Sequence, residues 1–345
     1  MRSRENEMGT RHTPRVVIAD YDFGDVDVER SIVTQAGFEL LAAQAKSEDD
    51  VIAVAADADA VLTQYAEVGK RAIGSFQRCK IIARYGIGVD IVDVAEATRR
   101  NIVVTNVPSD WCMNEVADHA VALLLALVRR LPQYDRATRA GTWAWQTGRP
   151  IQRLQEGTVG LFSFGAIAKE VARRMRGFGV RNIIACDPYA DEEDAAKADV
   201  PLVSFDELLT KSDYLVIQAP LTDETRGRFG ETELRRMKKG SILVNTARGP
   251  IIKDADLYRV LDDGWLAGAG LDDIEEEPAK RASWKPANPL FNLDNVIITP
   301  HAAYYSEQSI QIVRRFASEE AVRVLKGEAP LSPVNKVAMP IGIAG

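Results

Sequence analysis

Cysteine is scarce in this 345-residue sequence, which has three, at positions 79, 112 and 186, and no CxxC pair. This argues against a disulfide scaffold or a thiolate metal site and predicts buried, inert thiols in a reducing compartment. Long hydrophobic runs are also missing, because the longest, at 120–128, is too short to span a bilayer. The polar first 15 residues lack the apolar core of a signal peptide. We expect a cytoplasmic protein without a membrane partner.

An excess of positive charge is lacking too. The chain carries 43 Lys and Arg against 50 Asp and Glu, a net charge of −7. This balance argues against nucleic acid or an anionic membrane surface as the main partner, because both are bound through strongly cationic surfaces. A small anion is still possible as a ligand, since a few arginines are enough to bind it.

Short apolar runs alternate with helical patterns along the chain. We predict strands at 15–20, 59–64, 80–86, 102–106, 158–164, 182–187, 214–220, 241–247, 268–274 and 295–301. A long helix is predicted over 114–131, broken or ended by Pro132, and a last amphipathic helix over about 306–326. Apolar strands separated by helices indicate an α/β fold with parallel, doubly wound sheets.

The sequence that follows the strand at 158–164 is close to a dinucleotide-binding turn. The fingerprint G-x-G-x-x-G/A falls here on Ser163, Gly165 and Ala168. Gly165 stands where a side chain would collide with a pyrophosphate, whereas Ser163 adds a Cβ where the turn needs an unusual φ. Asp187, at the end of the next strand, can accept the ribose hydroxyls and would repel a 2′-phosphate. The pattern favours NAD over NADP; the alternative is a turn of small residues that serves packing only.

Three polar segments follow predicted strands further along the chain. They are VNTARGPII with Arg248, GLDDIEEEP with Asp272 and Glu277, and VIITPHAAYYSEQ with His301. Ligands of such sheets lie beyond the carboxyl ends of the strands, so these loops are expected to converge near a bound nicotinamide. A histidine paired with a carboxylate can supply a proton, and an arginine can clamp a carboxylate, as reduction of a 2-keto acid requires. The residues alone do not separate Glu277 from the two glutamates before it, and a capping histidine or a surface arginine is the alternative.

Several motifs, in their order along the chain, resemble those of the D-isomer-specific 2-hydroxyacid dehydrogenases. They are ARYGIGVD, EVADHAVALLLA, LVNTARG, LDDIEEEP and TPHAAYYSEQ, spread over about residues 80–325. HAAYYSEQ is most similar to the branch that contains the C-terminal-binding proteins and their bacterial enzyme relatives. Relative to the family's usual turn, Ser163 and Ala166 stand where glycine and arginine are common.

The resemblance implies two α/β domains and a homodimer. It places a Rossmann NAD-binding domain at 108–303, inserted into a flavodoxin-like substrate domain formed by 14–107 and 304–335, with a dimerisation helix and arm at 110–150. Residues 1–13 and 336–345 are expected to be flexible tails.

The resemblance also implies a role for individual residues. The catalytic set is His301 as acid/base, Glu277 as its partner and Arg248 as the substrate clamp. The residues expected at the NAD cofactor are Ser163, Gly165, Ala166, Ile167, Asp187, Ala219, Thr246, Ala247 and Asp272. The residues expected at a small anionic 2-keto or 2-hydroxy acid are Arg84, Gly86, Ile87, Gly88 and Tyr304, and no metal is expected. A second cation at Arg84 suits a dianionic substrate, and a structural ion pair is its alternative.

Two other functions were weighed against a D-2-hydroxyacid dehydrogenase. A dehydrogenase of another small anion, such as formate or phosphite, is the neighbouring one, and Glu277 argues against formate because formate dehydrogenases carry a glutamine as the partner of the histidine. The other is a cofactor-gated, corepressor-like binding protein that uses the fold as a scaffold. The set of Arg248, Glu277 and His301 favours the enzyme.

Overall fold

The computed structural model describes residues 12–277 and 284–338, and the chain divides into two compact units. Unit 1 comprises Met1–Pro108 and Ile310–Gly345, and unit 2 comprises Ser109–Ser309. The strands are β1 (Arg15–Ile18), β2 (Glu39–Ala42), β3 (Ala60–Thr63), β4 (Ile81–Arg84), β5 (Val103–Thr105), β6 (Thr158–Phe162), β7 (Asn182–Cys186), β8 (Tyr214–Ile217), β9 (Ile242–Asn245), β10 (Gly268–Leu271) and β11 (Val296–Ile298). The helices are α1 (Asp27–Gln35), α2 (Glu48–Ala55), α3 (Lys70–Ser75), α4 (Val94–Arg99), α5 (Met113–Val128), α6 (Leu131–Arg139), α7 (Ala166–Gly177), α8 (Glu192–Lys197), α9 (Phe205–Lys211), α10 (Glu231–Arg236), α11 (Asp254–Asp262) and α12 (Glu307–Leu325).

Unit 1 is built on a parallel sheet whose strands run in the order β2-β1-β3-β4-β5. This is the flavodoxin-like order of doubly wound folds. The central strands are buried along their length, as expected where helices cover both faces of a parallel sheet. β2 is absent from the predicted strands; it lies at the edge of the sheet, and its residues ELLA alternate between exposed and half-buried positions.

The predicted tails fall partly outside the described residues, which do not include 1–11 and 339–345. At the described ends, His12 Nε2 lies 2.8 Å from Asp59 Oδ2, and Ala338 donates its backbone N–H to Asn101 Oδ1 at 2.8 Å. Hydrogen bonds hold the chain to unit 1 at both of these positions. The predicted tails, 1–13 and 336–345, therefore include residues that contact this unit.

Unit 2 is built on a six-stranded parallel sheet in the order β11-β10-β9-β8-β6-β7. A parallel bridge between Ala185 of β7 and Leu202 extends this edge by one more stretch of chain. The strand order therefore reverses beside β6, as it does in a Rossmann fold. Both sheets confirm the predicted α/β class, with two doubly wound parallel sheets.

The long helix predicted over 114–131 is two helices, and the predicted breaker is wrong. α5 ends at Val128, and Arg130 then takes a left-handed φ of +56°. Pro132 lies in the first turn of α6, where its missing N–H has no intrahelical acceptor to lose. The chain turns before the proline, and the proline begins the next helix.

Two apolar clusters cover the faces of the unit 2 sheet. One consists of residues from α5 and α7, such as Leu124 and Val171, packed on β6 and β8. The other consists of residues from α9 to α11, such as Leu208 and Leu257, packed on β8 to β10. With both faces covered, the carboxyl ends of the strands and their loops are left to form a site. Within residues 12–277 and 284–338, no helix is both long and apolar enough to cross a membrane.

Candidate active site

The turn that follows β6 is formed with serine at its first position. Ser163 has a φ of +79°, in the left-handed region that favours glycine. Its hydroxyl donates to Asp187 Oδ2 at 3.0 Å, and Phe164 donates its backbone N–H to the same oxygen at 2.8 Å. The serine side chain thus adds a hydrogen bond that glycine could not make.

Asp187 follows β7 and is the acceptor around which this turn closes. Its other oxygen, Oδ1, accepts the backbone N–H of Tyr189 at 2.9 Å. A carboxylate has about four acceptor positions, and these three donors use three of them. The remaining position, on Oδ1, suits one ribose hydroxyl, and the negative charge disfavours a 2′-phosphate there.

The beginning of α7 has the space and polarity that a pyrophosphate requires. Gly165 is the N-cap residue of α7, and no side chain caps its first N–H groups. A helix N-terminus of this kind carries partial positive charge and unpaired donors. A Cβ placed on Gly165 meets no atom within 4 Å, and Ala166 is exposed beside it. The residues present therefore fit the phosphates of a dinucleotide.

Arg248 lies in the loop after β9, and its peptide bond to Gly249 is held at both polar groups. Asn245, the last residue of β9, donates Nδ2 to the Arg248 carbonyl at 2.8 Å. Gly249 donates its N–H to Asp273 Oδ2 at 3.1 Å. A Cβ on Gly249 would lie 1.9 Å from the carbonyl oxygen of Ile274, so no other residue fits without moving the backbone. The direction in which Arg248 leaves this loop is thereby fixed.

His301 lies in the loop after β11 with a left-handed φ of +53°. Its backbone N–H donates to the Asp272 carbonyl at 2.7 Å. The Asp272 carboxylate, which is buried, accepts the N–H groups of Ala302 at 2.9 Å and Ala303 at 2.8 Å. Asp272 is expected from the sequence to line the cofactor; in the structure its carboxylate holds the loop that carries His301.

The imidazole of His301 contacts the carboxylate of Glu277 through Nδ1 and Oε1. Their side chains are 16% and 5% exposed, so the pair is largely shielded from water. Asp273 completes a cluster in which one potential ligand atom from each of the three residues lies within 4.8 Å of the others. Such a trio can also bind a divalent cation; the absence of a metal stays a prediction.

The other unit 2 candidates lie on the same loops. The ring of Tyr304 stands edge-on to that of His301, with centroids 6.0 Å apart. Thr246 is buried and accepts a hydrogen bond from Gln218 Nε2 at 2.6 Å. Ala219 is also buried, while Ile167 and Ala247 are half-buried. His119, on α5, lies with Nε2 2.9 Å from Thr299 Oγ1.

The substrate candidates of unit 1 lie at the end of β4 and in the loop after it. Arg84 is 8% exposed, so it is not a surface residue. Gly86 has a φ of +145°, and a Cβ on it would lie 1.5 Å from Arg84 Nη1, so the guanidinium lies directly against this glycine. Asn106 donates Nδ2 to the Ile87 carbonyl at 2.7 Å and so holds the loop through Gly88 in place.

Asp254, the first residue of α11, links this helix to the segment that carries Glu277. Its Oδ2 accepts the N–H of Glu275 at 3.1 Å and Nδ2 of Asn288 at 2.6 Å. Its own N–H donates to Glu275 Oε2 at 3.1 Å. Burial, with a smaller contribution from the charges of Glu275 and Glu276, raises the pKa of Asp254 to about 6. This carboxyl therefore titrates close to neutral pH.

Two residues of the site are not among the sequence predictions. Asp273 is one of five acidic residues in DDIEEE, where nothing in the pattern distinguishes it. Asn245 ends an apolar strand, and its side chain has no sequence signal for a bond to the Arg248 carbonyl. Both act on backbone groups, which every residue has, and so only the fold reveals them.

Residues 121–303 match the model of the D-isomer specific 2-hydroxyacid dehydrogenase, NAD binding domain. The chain is 40% identical over 262 residues to a glyoxylate reductase of Korarchaeum cryptofilum, covering 75% of this chain and 77% of the relative. It is 38% identical over 275 residues to a D-3-phosphoglycerate dehydrogenase of Archaeoglobus fulgidus, covering 80% of this chain and 51% of the relative.

Among solved structures, the D-lactate dehydrogenase of Aquifex aeolicus complexed with NAD and lactic acid superposes with a TM-score of 0.79 at 26% identity, covering 91% of this chain and 94% of that one. The family model spans more than half of the chain and coincides with the sheet, turn and loops described above. The finer resemblance to the branch of the C-terminal-binding proteins stays a prediction. The chain belongs to the D-isomer-specific 2-hydroxyacid dehydrogenases, a family of NAD-dependent enzymes.

Proposed function

We propose that this protein interconverts a small 2-keto acid and the D-2-hydroxy acid, with NAD as the cofactor. The observation that carries the proposal is the shielded contact between His301 and Glu277 at the carboxyl edge of the unit 2 sheet. Relatives 36–40% identical are named glyoxylate reductases, so glyoxylate is the first substrate to test.

In the proposed reaction, NADH held at the Ser163–Ile167 turn would provide a hydride for the keto carbon. His301 supplies the proton that the carbonyl oxygen gains, so that C=O becomes CH–OH. Because Nδ1 faces Glu277, the proton is delivered from Nε2, and Glu277 orients the ring. Arg248 clamps the substrate carboxylate with its planar fork and holds the carbonyl in register with Nε2.

The remaining assignments belong to the same proposal. The cofactor is bound by the turn from Ser163 to Ile167, by Asp187, and by Ala219, Thr246 and Ala247. Asp272 is also proposed to bind the cofactor, while its carboxylate holds the His301 loop. Tyr304 and, from unit 1, Arg84 and the backbone of Gly86–Gly88 bind the substrate. We also propose a homodimer through residues 110–150 and a cytoplasmic location.

A substrate panel with a matched histidine variant tests this function. Purified protein is expected to oxidise NADH when given glyoxylate, pyruvate or hydroxypyruvate. His301→Asn is expected to lower kcat by about 10²-fold or more while NADH binding stays within a few-fold. Asparagine is chosen because it tolerates a left-handed backbone, whereas alanine would add strain at a φ of +53°. His12→Asn, whose histidine contacts Asp59 in unit 1, is the control.

Two results would contradict the proposal. If NADH binds but no 2-keto acid is reduced, the corepressor-like scaffold becomes the better explanation. If His301→Asn loses NADH binding, His301 has a structural role.

A further inference from the structure

Asp273 is a buried carboxylate to which neither the sequence motifs nor the proposed reaction gives a role. It is 6% exposed and stands beside Glu277, a second buried carboxylate. Burying one charge next to a like charge is unfavourable unless hydrogen-bond donors compensate. An apolar side chain would fill this position with no such penalty. The arrangement therefore calls for a function of the carboxylate itself.

Among the described residues, two backbone N–H groups donate to Asp273, one to each oxygen. Oδ1 accepts the N–H of Ile274 at 2.8 Å, and Oδ2 accepts that of Gly249 at 3.1 Å. The first bond is local to the loop after β10. The second reaches a different loop, the one after β9, at the residue directly following Arg248.

The bond to Gly249 acts on the peptide that aims Arg248. The carbonyl of the Arg248–Gly249 peptide is held by Asn245, and the N–H of the same peptide is held by Asp273. Because a peptide is planar, fixing both groups fixes its rotation about the chain axis. The close packing of Gly249 on Ile274 leaves no room for it to move toward the loop after β10.

We propose that Asp273 is a positioning residue, which sets the Arg248–Gly249 peptide so that Arg248 meets the substrate carboxylate beside the His301–Glu277 pair. The inference rests on the proposed function, in which Arg248 is the clamp. Asp273 is suited to this task because it links two parts of the site. It accepts a hydrogen bond from Gly249 in the Arg248 loop, and it belongs to the cluster with His301 and Glu277.

The test compares Asp273→Asn and Asp273→Val with Asp256→Asn. Asp256 is a matched control, since its carboxylate also accepts a backbone N–H, from Glu231 at 3.0 Å, and it has no place in the reaction. In both Asp273 variants, KM for glyoxylate is expected to rise about tenfold, kcat to change less than about threefold, and the Kd of NADH to stay within about twofold. Oxamate, which has the carboxylate and carbonyl of a 2-keto acid but is not reduced, is expected to bind the NADH complex about tenfold more weakly.

Asp273→Val keeps the test open if the asparagine variant does not fold, because valine brings no polar side-chain atom into the position, although both variants remove acceptors of the Gly249 and Ile274 N–H groups. Wild-type kinetics in either variant would overturn the inference and leave the proposed function intact. A fall in kcat at unchanged KM would also overturn it, since Asp273 would then act on the His301 pair. A lowered melting temperature with weakened NADH binding would show a structural role. If the unmodified protein reduces no 2-keto acid, the proposed function fails first, and the inference fails with it.

Discussion

The hydroxyl of Ser163 lies 3.0 Å from Asp187 Oδ2, across a turn in which Ser163 itself has a φ of +79°. Two effects of opposite sign meet at this serine. A left-handed backbone with a Cβ costs about 1 kcal/mol, and a hydrogen bond to a charged acceptor stabilises by roughly 1.5–3 kcal/mol. The hydrogen bond outweighs the strain, which explains how the turn forms without glycine.

Separate substitutions of Ser163 resolve these two effects. Ser163→Ala keeps the Cβ and loses the bond, so it is expected to lower the free energy of unfolding by about 1–2 kcal/mol. Ser163→Gly loses both the bond and the strain, so it is expected to lower the free energy of unfolding by less than Ser163→Ala does. Thermal unfolding midpoints of the three proteins give the comparison. An alanine variant as stable as the wild type would show that the bond contributes nothing.

Removing the charge of Asp187 is expected to weaken the preference for NADH. Asp187→Asn keeps an oxygen that can accept the Phe164 N–H but no longer repels a 2′-phosphate. The ratio of the Kd of NADPH to that of NADH, measured by fluorescence titration, is expected to fall about tenfold. Asp191→Asn, at another carboxylate that accepts backbone N–H groups in unit 2, is the control. An unchanged ratio in Asp187→Asn means that this carboxylate does not face the adenosine ribose.

The raised pKa of Asp254 predicts a stability that falls as the pH rises. The pKa is about 6 in the folded chain against an ordinary value of 3.8, so between these values the folded state binds more protons than the unfolded state. The free energy of unfolding should lose up to about 3 kcal/mol between pH 4 and pH 6 through this group and stay level above pH 7. Asp254→Asn cannot titrate at this position. Between pH 4 and pH 6, its melting temperature should therefore rise relative to that of the wild type. Melting temperatures that run parallel from pH 4 to pH 7.5 would contradict the assignment.

The sequence predicts the sheets well because buried parallel strands are continuous apolar runs. RVVI, KIIAR and YLVIQ are recognisable by themselves, and each corresponds to a strand. β2 has no such run: at the sheet edge its residues alternate between exposed and half-buried positions, and ELLA is equally suited to a helix. The end of the long helix near Arg130 is missed for a related reason. A left-handed arginine has no sequence signal, whereas a proline is a known helix breaker, so the break is predicted at Pro132.

The sequence predicts the side chains that contact a ligand better than those that hydrogen-bond to the backbone of a neighbouring loop. The family resemblance, not the residues alone, pairs Glu277 with His301, and the structure brings these two into contact. For Asp272 the resemblance implies a cofactor contact, which stays a prediction; the structure adds that the carboxylate accepts the N–H groups of Ala302 and Ala303. Whether an acidic side chain after a strand faces a ligand or a neighbouring loop depends on loop geometry, which local sequence does not encode.

Gly165 and Gly249 have opposite surroundings. Substitution by alanine is therefore expected to affect cofactor binding at Gly165 and folding at Gly249. A Cβ on Gly165 enters open space, whereas one on Gly249 would lie 1.9 Å from a backbone oxygen of Ile274. Gly165→Ala is therefore expected to melt within a few degrees of the wild type, since its φ of −77° suits alanine. The new methyl group occupies the approach of the pyrophosphate, so the Kd of NADH should rise about tenfold or more.

Gly249→Ala must displace the loop that carries Arg248. Overpacking against backbone is expected to lower the free energy of unfolding by roughly 1–3 kcal/mol, and kcat/KM for the 2-keto acid should fall about tenfold or more as Arg248 moves. Melting curves and NADH titrations of the two variants give the comparison, and each variant serves as the control for the other. If Gly165→Ala binds NADH as tightly as the wild type, the phosphates do not approach this turn. The open space at Gly165 would then need another explanation, because a glycine at a helix N-terminus with no neighbour to avoid has no packing reason to be there.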